Sequence, residues 1–484
     1  MRIVQSDVAI IGAGCGGASA AYHLGNLGYR IAMVEKDRGY GAALRGVNGF
    51  FSVGSKYQKE KHYMATPQQY FNYLMDRSQW GIEPQIVSDF VNRSAEICQW
   101  LVENGAEIEN IIAYFPTCDH TWMYMPERAR IYHVLVPGLE RMENVQLLDQ
   151  SSAKKILRED GQISGVLVRD EKSGEDYMVT AKAVVIATGE DQALMQGTVL
   201  SEFKGADMAS ELGAARLRPT VASNGGGPPA DGDFRQPCNL IVNLDGRRFC
   251  NEEINSRIDD LAFCASTQKN GEYFVIMDEN INQWYLNNGY VDFKYGMGSQ
   301  MPNDLKAVAA GKVAMDGPGG PPPAMDDMPE GGPGGMPDMT AEMRKQLIVA
   351  DSIEELAEKT GLPLEQLRAT ITAYNEACFS GKDTRFYKNP EYLIPLMKAP
   401  YFANKRSACL KELDGVIKTN ANMEALDGSG NPIPGLYAVG GVCSPINGQI
   451  YTHRCAGSRA TFALLGGRIV SEQLPEYLQP SEKQ

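Results

Sequence analysis

The chain has 484 residues, of which 43% are hydrophobic and 22% charged, so length and composition predict a globular protein with more than one hydrophobic core. Its 60 acidic and 46 basic side chains give a net charge of -14, which disfavours nucleic acid and anionic membranes as partners. No stretch approaches the roughly 20 apolar residues that a membrane-spanning helix requires. We therefore expect a soluble enzyme with no membrane insertion.

The N-terminus and the cysteines suggest where such an enzyme works. The chain enters a strand soon after Met1, without an apolar leader segment, which predicts a cytoplasmic location. Its ten cysteines include no CxxC pair, so we expect reduced thiols rather than a zinc ribbon or an iron-sulfur cluster. The histidines show no ligand spacing, and no metal site is expected.

The first predicted elements form a β-α-β unit. An apolar strand at 7–12 is followed by glycines, a helix at 18–27 and a second strand at 30–35. Three glycines at the strand-to-helix turn match a G-x-G-x-x-G fingerprint, and Glu35 ends the next strand. This arrangement is typical of a doubly wound nucleotide-binding domain, in which a pyrophosphate lies at the helix N-terminus and the acidic residue accepts hydrogen bonds from a ribose.

Later segments continue a mixed α/β pattern. Ser88 is predicted to cap an amphipathic helix that Gly105 closes, and the segment 145–179 is expected to form a small meander. The Gly/Pro/Met-rich stretch at about 315–340 leaves too few side chains for a core and predicts a surface insertion. Regular structure is expected again in the segments 183–187, 352–360, 364–378, 435–441 and 458–473.

The order of the motifs resembles the FAD-binding family that includes soluble fumarate reductases and 3-ketosteroid dehydrogenases. The segment 184–189 matches the family's ATG strand, 433–440 matches its late flavin strand, and 355–376 looks like its helical cap. The resemblance implies a Rossmann-like doubly wound α/β FAD-binding domain with an inserted α+β cap. It places the discontinuous FAD domain at 1–230 and 400–484, and the cap or substrate domain at 231–399.

The same resemblance implies the residues that bind the cofactor. Gly441 stands where the family usually has an acidic residue, so that contact to the flavin ribityl chain must be replaced or missing. The Ser-His-Thr motif of covalent flavin attachment is absent near 39–55, and noncovalent FAD is therefore expected. The cofactor-binding residues implied are Gly12, Gly14, Gly17, Glu35, Lys36, Ala187, Thr188, Gly189, Gly440 and Gly441.

Flavin chemistry on a polarised double bond needs a proton donor and a group that binds the developing oxyanion. The segment 248–257 looks like the family's RF-x-N-E-x-x-x-R stretch, whose last arginine delivers the proton in fumarate reductases; Arg257 matches it with one inserted residue. The alternative for Arg257 is a salt bridge to Glu252 or Asp259.

Two alignments compete for the oxygen-binding residue in the stretch 448–457. As in fumarate reductases, Arg454 matches the arginine that clamps a substrate carboxylate; as in ketosteroid dehydrogenases, Tyr451 matches the tyrosine that polarises a ketone. Packing of Tyr451 and an acidic partner for Arg454 are the structural alternatives. We count Arg257, Tyr451 and Arg454 as the catalytic candidates.

Fumarate itself fits poorly, because the family's substrate histidines are missing. Arg218, near the entry to the cap, and His453 are substrate-binding candidates, and His120 is a candidate lining residue for an aromatic or extended substrate, with a surface loop as the equal alternative.

The leading hypothesis is an FAD-dependent reductase of a double bond conjugated to a carboxylate or ketone, an EC 1.3 type enzyme. The alternatives are the reverse reaction, a dehydrogenase that desaturates a ketone or acid, and a flavin-bearing electron-transfer subunit with no substrate of its own. No second nucleotide fingerprint is present, so a separate electron donor or acceptor is expected as partner.

Overall fold

The computed structural model describes residues 2–113, 119–189, 204–217, 220–225, 231–291, 302–310, 347–412, 416–443, 446 and 453–478. These residues form two compact units. The first unit is drawn from 1–113, 119–221 and 412–484, and the second is built around 222–411. Within the described ranges, no helix combines the length and the apolar character needed to cross a bilayer.

The elements alternate between strand and helix along much of the chain. The strands are β1 (Ile3–Gln5), β2 (Val8–Ile11), β3 (Ile31–Val34), β4 (Gly49–Phe51), β5 (Asn110–Ile112), β6 (Trp122–Tyr124), β7 (Val145–Leu148), β8 (Ser151–Glu159), β9 (Gln162–Asp170), β10 (Asp176–Thr180), β11 (Ala183–Ile186), β12 (Arg216–Leu217), β13 (Thr220–Gly225), β14 (Leu240–Asn243), β15 (Glu272–Asp278), β16 (Leu347–Ala350), β17 (Tyr401–Glu412), β18 (Val416–Ile417), β19 (Glu424–Leu426) and β20 (Pro432–Ala438). The helices are α1 (Cys15–Asn26), α2 (Ala42–Gly46), α3 (Lys56–Glu60), α4 (Pro67–Arg77), α5 (Pro84–Glu103), α6 (Ile131–Glu140), α7 (Lys204–Glu211), α8 (Asp231–Phe234), α9 (Ile258–Ser266), α10 (Glu279–Asn288), α11 (Leu305–Ala309), α12 (Ile353–Thr360), α13 (Leu364–Ser380) and α14 (Ser458–Leu478).

The first unit is organised around a sheet with the strand order β19-β20-β11-β2-β3-β7. Five of these strands are parallel, and β19 runs antiparallel at the edge. Every residue of β2, β3 and β11 is buried, which explains why each reads as an unbroken apolar run. This is the doubly wound arrangement that the sequence predicts, and it brings the carboxyl ends of β20, β11, β2 and β3 to one edge.

Smaller sheets surround this core. The strands β8, β9 and β10 form the expected meander, which β1 extends as a parallel edge strand. The turn between β8 and β9 uses Asp160 and Gly161 at positive φ, which is the local geometry that such a pair favours. A three-stranded sheet has the order β4-β6-β5, and β12 pairs with β18.

The helix predicted to begin at Ser88 begins one turn earlier. It starts at Pro84, and the side chain of Glu83 accepts a hydrogen bond from the backbone N–H of Gln85. Proline is well suited to the first helical position because its missing N–H needs no partner there. Ser88 lies inside the helix, where its hydroxyl and carbonyl oxygens accept hydrogen bonds from Asn92, so the prediction of Ser88 as the cap was wrong.

The second unit has its own sheet and core. Strand β15 pairs antiparallel with β14 and β17, and β16 also pairs with β17. Its apolar core includes Phe274, Tyr285 and Phe402. The charged side chains buried in this unit include Arg248, Glu252, Asp383 and Lys388, which lie close together.

Candidate functional site

The glycine fingerprint lies at the carboxyl edge of the central sheet, beside the two later flavin motifs. The backbone N–H of Gly12 donates to the carbonyl of Val34 at 2.8 Å, which joins the turn to the end of β3. Ala187 N–H donates to Ile11 O at 2.8 Å, and Val439 N–H donates to Ile186 O at 2.9 Å. Three segments far apart in sequence therefore meet at the ends of neighbouring parallel strands.

Two of the fingerprint glycines are required by close backbone approach. Gly12 has φ +102°, and a Cβ there would lie 2.5 Å from the carbonyl oxygen of Ala187. A Cβ on Gly17 would collide with the carbonyl oxygen of Gly12. Any side chain at these two positions would push α1 away from the strands.

Gly14 differs because its surroundings are open. A Cβ there would meet no protein atom within 4 Å, and no side chain caps the N-terminus of α1. A helix N-terminus carries backbone N–H donors and a partial positive charge, which together suit a pyrophosphate. The space at Gly14 and the donors of the first turn therefore fit a dinucleotide.

Glu35 is held rigidly next to this turn. One carboxylate oxygen accepts a hydrogen bond from Ala13 N–H at 2.7 Å, and the other accepts one from Asp37 N–H at 3.1 Å. Burial raises the pKa of Glu35, and these two backbone hydrogen bonds partly offset the increase. A carboxylate has further lone pairs for the hydroxyls of a ribose, so the geometry fits the role expected from the sequence.

The remaining cofactor candidates occupy the same edge or follow it. Gly189 and Gly440 have φ near +77° and +76°, conformations that favour glycine. Gly440 and Gly441 begin a short 3-10 helix after β20, and Thr188 packs against the start of α7 near Gly205. Lys36 is exposed. Their roles in holding FAD stay predictions.

Arg454 also belongs to the first unit. Its guanidinium lies over the ring of Tyr73, 4.5 Å from the centroid, and 5.9 Å from the centroid of Tyr70. Asp119 lies 3.9 Å away, and 40% of the Arg454 side chain remains exposed. Arg454 thus has an acidic neighbour, the alternative noted from sequence, while its cationic group still reaches solvent.

The position of Arg454 is fixed by the chain that follows it. Gly457 has φ +80°, and a Cβ there would lie 2.6 Å from the carbonyl carbon of Phe50. The hydroxyl of Thr461 donates to Phe51 O at 2.6 Å. The start of α14 is therefore packed directly on β4, which limits how far Arg454 can move.

His120 directly follows Asp119, the acidic neighbour of Arg454. Its imidazole stacks on Tyr63 with ring centroids 3.9 Å apart and planes 4° apart. Gln58 donates hydrogen bonds to His120 O at 2.7 Å and to Ser52 O at 2.8 Å, which anchors the His120 segment. Burial lowers the pKa of His120, and the nearby Asp119 carboxylate opposes this, so the ring favours its neutral form.

Arg257 lies in the second unit, immediately before α9. Its guanidinium is 3.4 Å from Asp260, and 47% of the side chain is exposed. The sequence suggested Glu252 or Asp259 as a salt-bridge partner. The structure places Asp260 beside Arg257, and the side chain of Asp259 is not described. Glu252 instead accepts two buried hydrogen bonds from Arg248, which lies four residues earlier.

A family comparison identifies the protein class. The family model described as "FAD binding domain" matches residues 7–454. This chain belongs to that FAD-binding family. The match spans the glycine fingerprint, the ATG strand and the late flavin strand, so the resemblance drawn from these motifs is confirmed, and FAD is the cofactor.

Individual relatives of this FAD-binding protein cover almost its whole length. It is 25% identical to the vinyl phenol reductase of Lactiplantibacillus plantarum over 97% of this chain and 96% of that protein. It is 23% identical to the fumarate reductase (cytochrome) of Shewanella frigidimarina over 97% of this chain and 77% of that protein. The 3-ketosteroid-delta4-(5alpha)-dehydrogenase of Rhodococcus jostii RHA1 shares the fold, with TM-score 0.71, 18% identity and coverage of 99% and 97%.

These comparisons confirm the predicted fold class and the assignment as an FAD-dependent oxidoreductase. They do not test which residues perform the reaction. Tyr451 and Arg218 lie outside the described residues, as does the 315–340 insertion, and the side chain of His453 is not described. Within the described ranges, no group of three His, Cys, Asp or Glu side chains is arranged to hold a metal ion.

Sequence reasoning missed the aromatic neighbours of Arg454. Tyr70 and Tyr73 lie on α4, more than 370 residues before Arg454, and their helical spacing predicts only a shared face. The stacking of Tyr63 on His120 was also not anticipated. Three tyrosines within one short segment were the available signal, but such a cluster is more often core packing.

Proposed function

We propose that this FAD-binding protein reduces a carbon-carbon double bond conjugated to a carboxylate or a ketone. The observation that carries the proposal is Arg454, a half-exposed guanidinium held over Tyr73 in the same unit as the cofactor motifs. A planar cation of this kind can bind a carboxylate or an enolate oxygen through two N–H donors. The names of two relatives, a vinyl phenol reductase and a fumarate reductase, support a reaction at a double bond.

In this proposal the substrate oxygen is bound before the chemistry. Arg454 stabilises the negative charge on the oxygen of the carboxylate or enolate, and Tyr73 keeps its guanidinium in place. Asp119, 3.9 Å from the same guanidinium, helps to orient it. When bound and reduced by the electron donor, FAD would supply the hydride that one carbon of the double bond accepts.

Arg257 is proposed as the donor of the proton that the second carbon takes up. An arginine can release a proton only when a neighbouring group can return one, because its own acidity is very weak. Asp260, 3.4 Å from the Arg257 guanidinium, is the neighbour that could do so. Tyr451 stays a second candidate for binding a ketone oxygen.

Stacked Tyr63 and His120 favour substrates with an aromatic or extended apolar group. An aromatic ring of the substrate can stack against one of these two rings, and such stacking contributes about 0.5–1.5 kcal/mol beyond burial. We therefore place aryl acrylates ahead of fumarate as substrates.

An anaerobic flavin assay tests the proposal. The purified protein is reduced with dithionite and mixed in turn with an aryl acrylate, fumarate and a steroid enone, and flavin reoxidation is followed by visible absorbance. Reoxidation by the aryl acrylate supports the proposal. Reduction of the oxidised flavin by a saturated ketone or acid would favour the dehydrogenase, and no response to either class would favour an electron-transfer subunit.

Substitutions then distinguish the proposed roles of Arg454 and Arg257. Arg454→Lys keeps a positive charge but loses the two-donor geometry, so KM for the acrylate should rise about tenfold or more with FAD content unchanged. Arg257→Lys should instead lower kcat by about 100-fold or more. The matched control is Arg128→Lys, at an exposed pair with Glu107. Equal activity in all three variants would refute both assignments.

The electron donor and the compartment complete the proposal. We infer a separate redox partner, because no second nucleotide fingerprint accompanies the one at Gly12 to Gly17. Cytoplasmic location and noncovalent attachment of FAD are part of the same proposal. Acid precipitation of the protein tests the attachment, since noncovalent FAD is released into the supernatant.

A further inference from the structure

Two cysteines, Cys250 and Cys264, lie next to each other in the second unit. Cys250 is 4% exposed and directly precedes the turn that leads to Arg257, whereas Cys264 lies on α9 and is partly exposed. The Cys264 sulfur lies 3.8 Å from the carbonyl oxygen of Phe249, the residue directly before Cys250, so the two cysteines are neighbours in space. Both are free thiols in the structure.

The two thiols differ in acidity as well as in exposure. The hydrogen bond from Cys250 lowers the pKa of Cys264 to about 7, although burial opposes this shift. The same hydrogen bond raises the pKa of Cys250 well above its ordinary value, with burial and the Glu252 carboxylate acting in the same direction. At neutral pH, the exposed partner is therefore the better nucleophile and the buried one is a protonated neighbour.

Cys15, Cys98 and Cys378 lack this combination. Burial raises the pKa of Cys15 to about 12, that of Cys98 to about 12 and that of Cys378 to about 11. Cys378 is also partly exposed, so exposure alone does not distinguish Cys264. What distinguishes Cys264 from Cys378 is the second cysteine beside it, Cys250.

We propose that Cys250 and Cys264 are a peroxide-sensitive dithiol site that forms a reversible disulfide. The Cys264 thiolate attacks one oxygen of hydrogen peroxide, the O–O bond breaks, and the products are Cys264 sulfenic acid and hydroxide, which takes up the proton that Cys264 released. The Cys250 sulfur then attacks the Cys264 sulfur, and the sulfenic hydroxyl leaves as water with the Cys250 proton. Two thiols are oxidised, and one peroxide is reduced to two waters.

The disulfide would enclose the segment that carries Arg257. Cys250 precedes the short 3-10 helix Glu252–Asn255, and Cys264 lies in the last turn of α9. The crosslink therefore joins the two ends of this segment and holds the helix to the turn. Reduction by a thiol would release it again.

Tryptic peptide mapping tests the proposal directly. Cleavage after Arg248, Arg257 and Lys269 places the two cysteines in separate peptides, 249–257 and 258–269, each with a single cysteine. The purified full-length protein is treated with hydrogen peroxide, remaining thiols are alkylated, and the digest is analysed without reduction. We expect the 249–257 and 258–269 peptides to appear as one crosslinked species that dithiothreitol separates.

Variants assign the two roles. In Cys264→Ser the crosslink should be lost, and in Cys250→Ser the Cys264 thiol should proceed to sulfinic acid because no second thiol can trap the sulfenic acid. The matched control, Cys378→Ser, should form the crosslink at the wild-type rate. Absence of the crosslink in peroxide-treated wild-type protein, or accumulation of Cys264 sulfinic acid in its place, would overturn the proposal, and neither result depends on the proposed enzyme activity.

Discussion

Removal of Arg248 should destabilise the second unit strongly. Its Nε and Nη2 donate to the two carboxylate oxygens of Glu252 at 2.8 Å each, and Nη2 also donates to Asp383 at 2.8 Å. Lys388 lies 3.6 Å from Glu252 and donates to the hydroxyl of Tyr374 at 2.9 Å. The two cations balance the two carboxylates, so Arg248→Met leaves one net negative charge in a buried cluster.

The size of the effect follows from this burial. Removing one partner of a buried ion pair typically costs about 3–5 kcal/mol, because the other charge stays desolvated and unpaired. The side chains of Glu252 and Asp383 are only 0% and 2% exposed, so solvent can replace little of the lost interaction. In a unit of this size about 1 kcal/mol lowers Tm by roughly 2–4 °C, so the Tm of the second unit should fall by roughly 10 °C.

The effect should also depend on pH. Burial by itself raises the pKa of Asp383, but hydrogen bonding and charge from Arg248 more than offset this and lower the pKa to about 2. A carboxyl group with a lowered pKa stabilises the fold when the pH is above its ordinary pKa of 3.8, and the contribution is lost as the pH falls toward 2. The difference between wild type and Arg248→Met should therefore be largest near neutral pH and narrow below about pH 4.

Calorimetric unfolding of three variants tests this reasoning. Arg248→Lys retains the charge without the two-pronged geometry and should fall between wild type and Arg248→Met. Arg368→Met, a matched change in the same unit, removes an exposed ion pair with Glu354 and should cost less than about 1 kcal/mol. If Arg248→Met and Arg368→Met lower Tm equally, the buried cluster does not stabilise the unit in the way argued.

Three further predictions concern the first unit. Gly14→Ala should weaken FAD binding at least roughly tenfold in a fluorescence titration of apoprotein, while Tm stays unchanged, because its methyl group meets no protein atom; Gly428→Ala, equally open, should change neither quantity. Glu35→Gln should lower the free energy of unfolding by about 1–3 kcal/mol, because a backbone donor loses its acceptor; an unchanged denaturation midpoint would contradict this. Burial lowers the pKa of His23 to about 4 from its ordinary 6.5, so unfolding becomes easier as the pH falls from about 6.5 to 4, by up to about 1.4 kcal/mol per pH unit. His23→Phe should reduce this slope, and an identical pH profile in the variant would refute the assignment.

Local sequence patterns were sufficient for the central sheet. The apolar runs of β2, β3 and β11 and the glycines between β2 and α1 predicted a doubly wound domain, because each signal depends only on neighbouring residues. The ends of helices were predicted less accurately. The start of the helix at Pro84 was missed because Ser88 offered an equally good capping residue, and the choice depends on which turn the tertiary fold packs.

The candidate site was only partly accessible to the same reasoning. The fingerprint glycines and Glu35 were found from spacing, and the structure places them together at one sheet edge. The sequence predicted Arg257 as a candidate but not its neighbour Asp260, because several acidic residues lie close to Arg257 in the sequence. The rings beside Arg454 come from α4, and no local pattern connects these segments.

The sequence by itself therefore determined the class of fold, the FAD-binding family and the short list of chemically suitable residues. Only the tertiary structure decided which side chains are neighbours: Tyr73 under Arg454, Asp383 beside Arg248, and Cys264 beside Cys250. Strand and helix patterns repeat every two or 3.6 residues and can be read locally. Arg248 and Asp383 are 135 residues apart, and their contact exists only because the whole second unit packs around them.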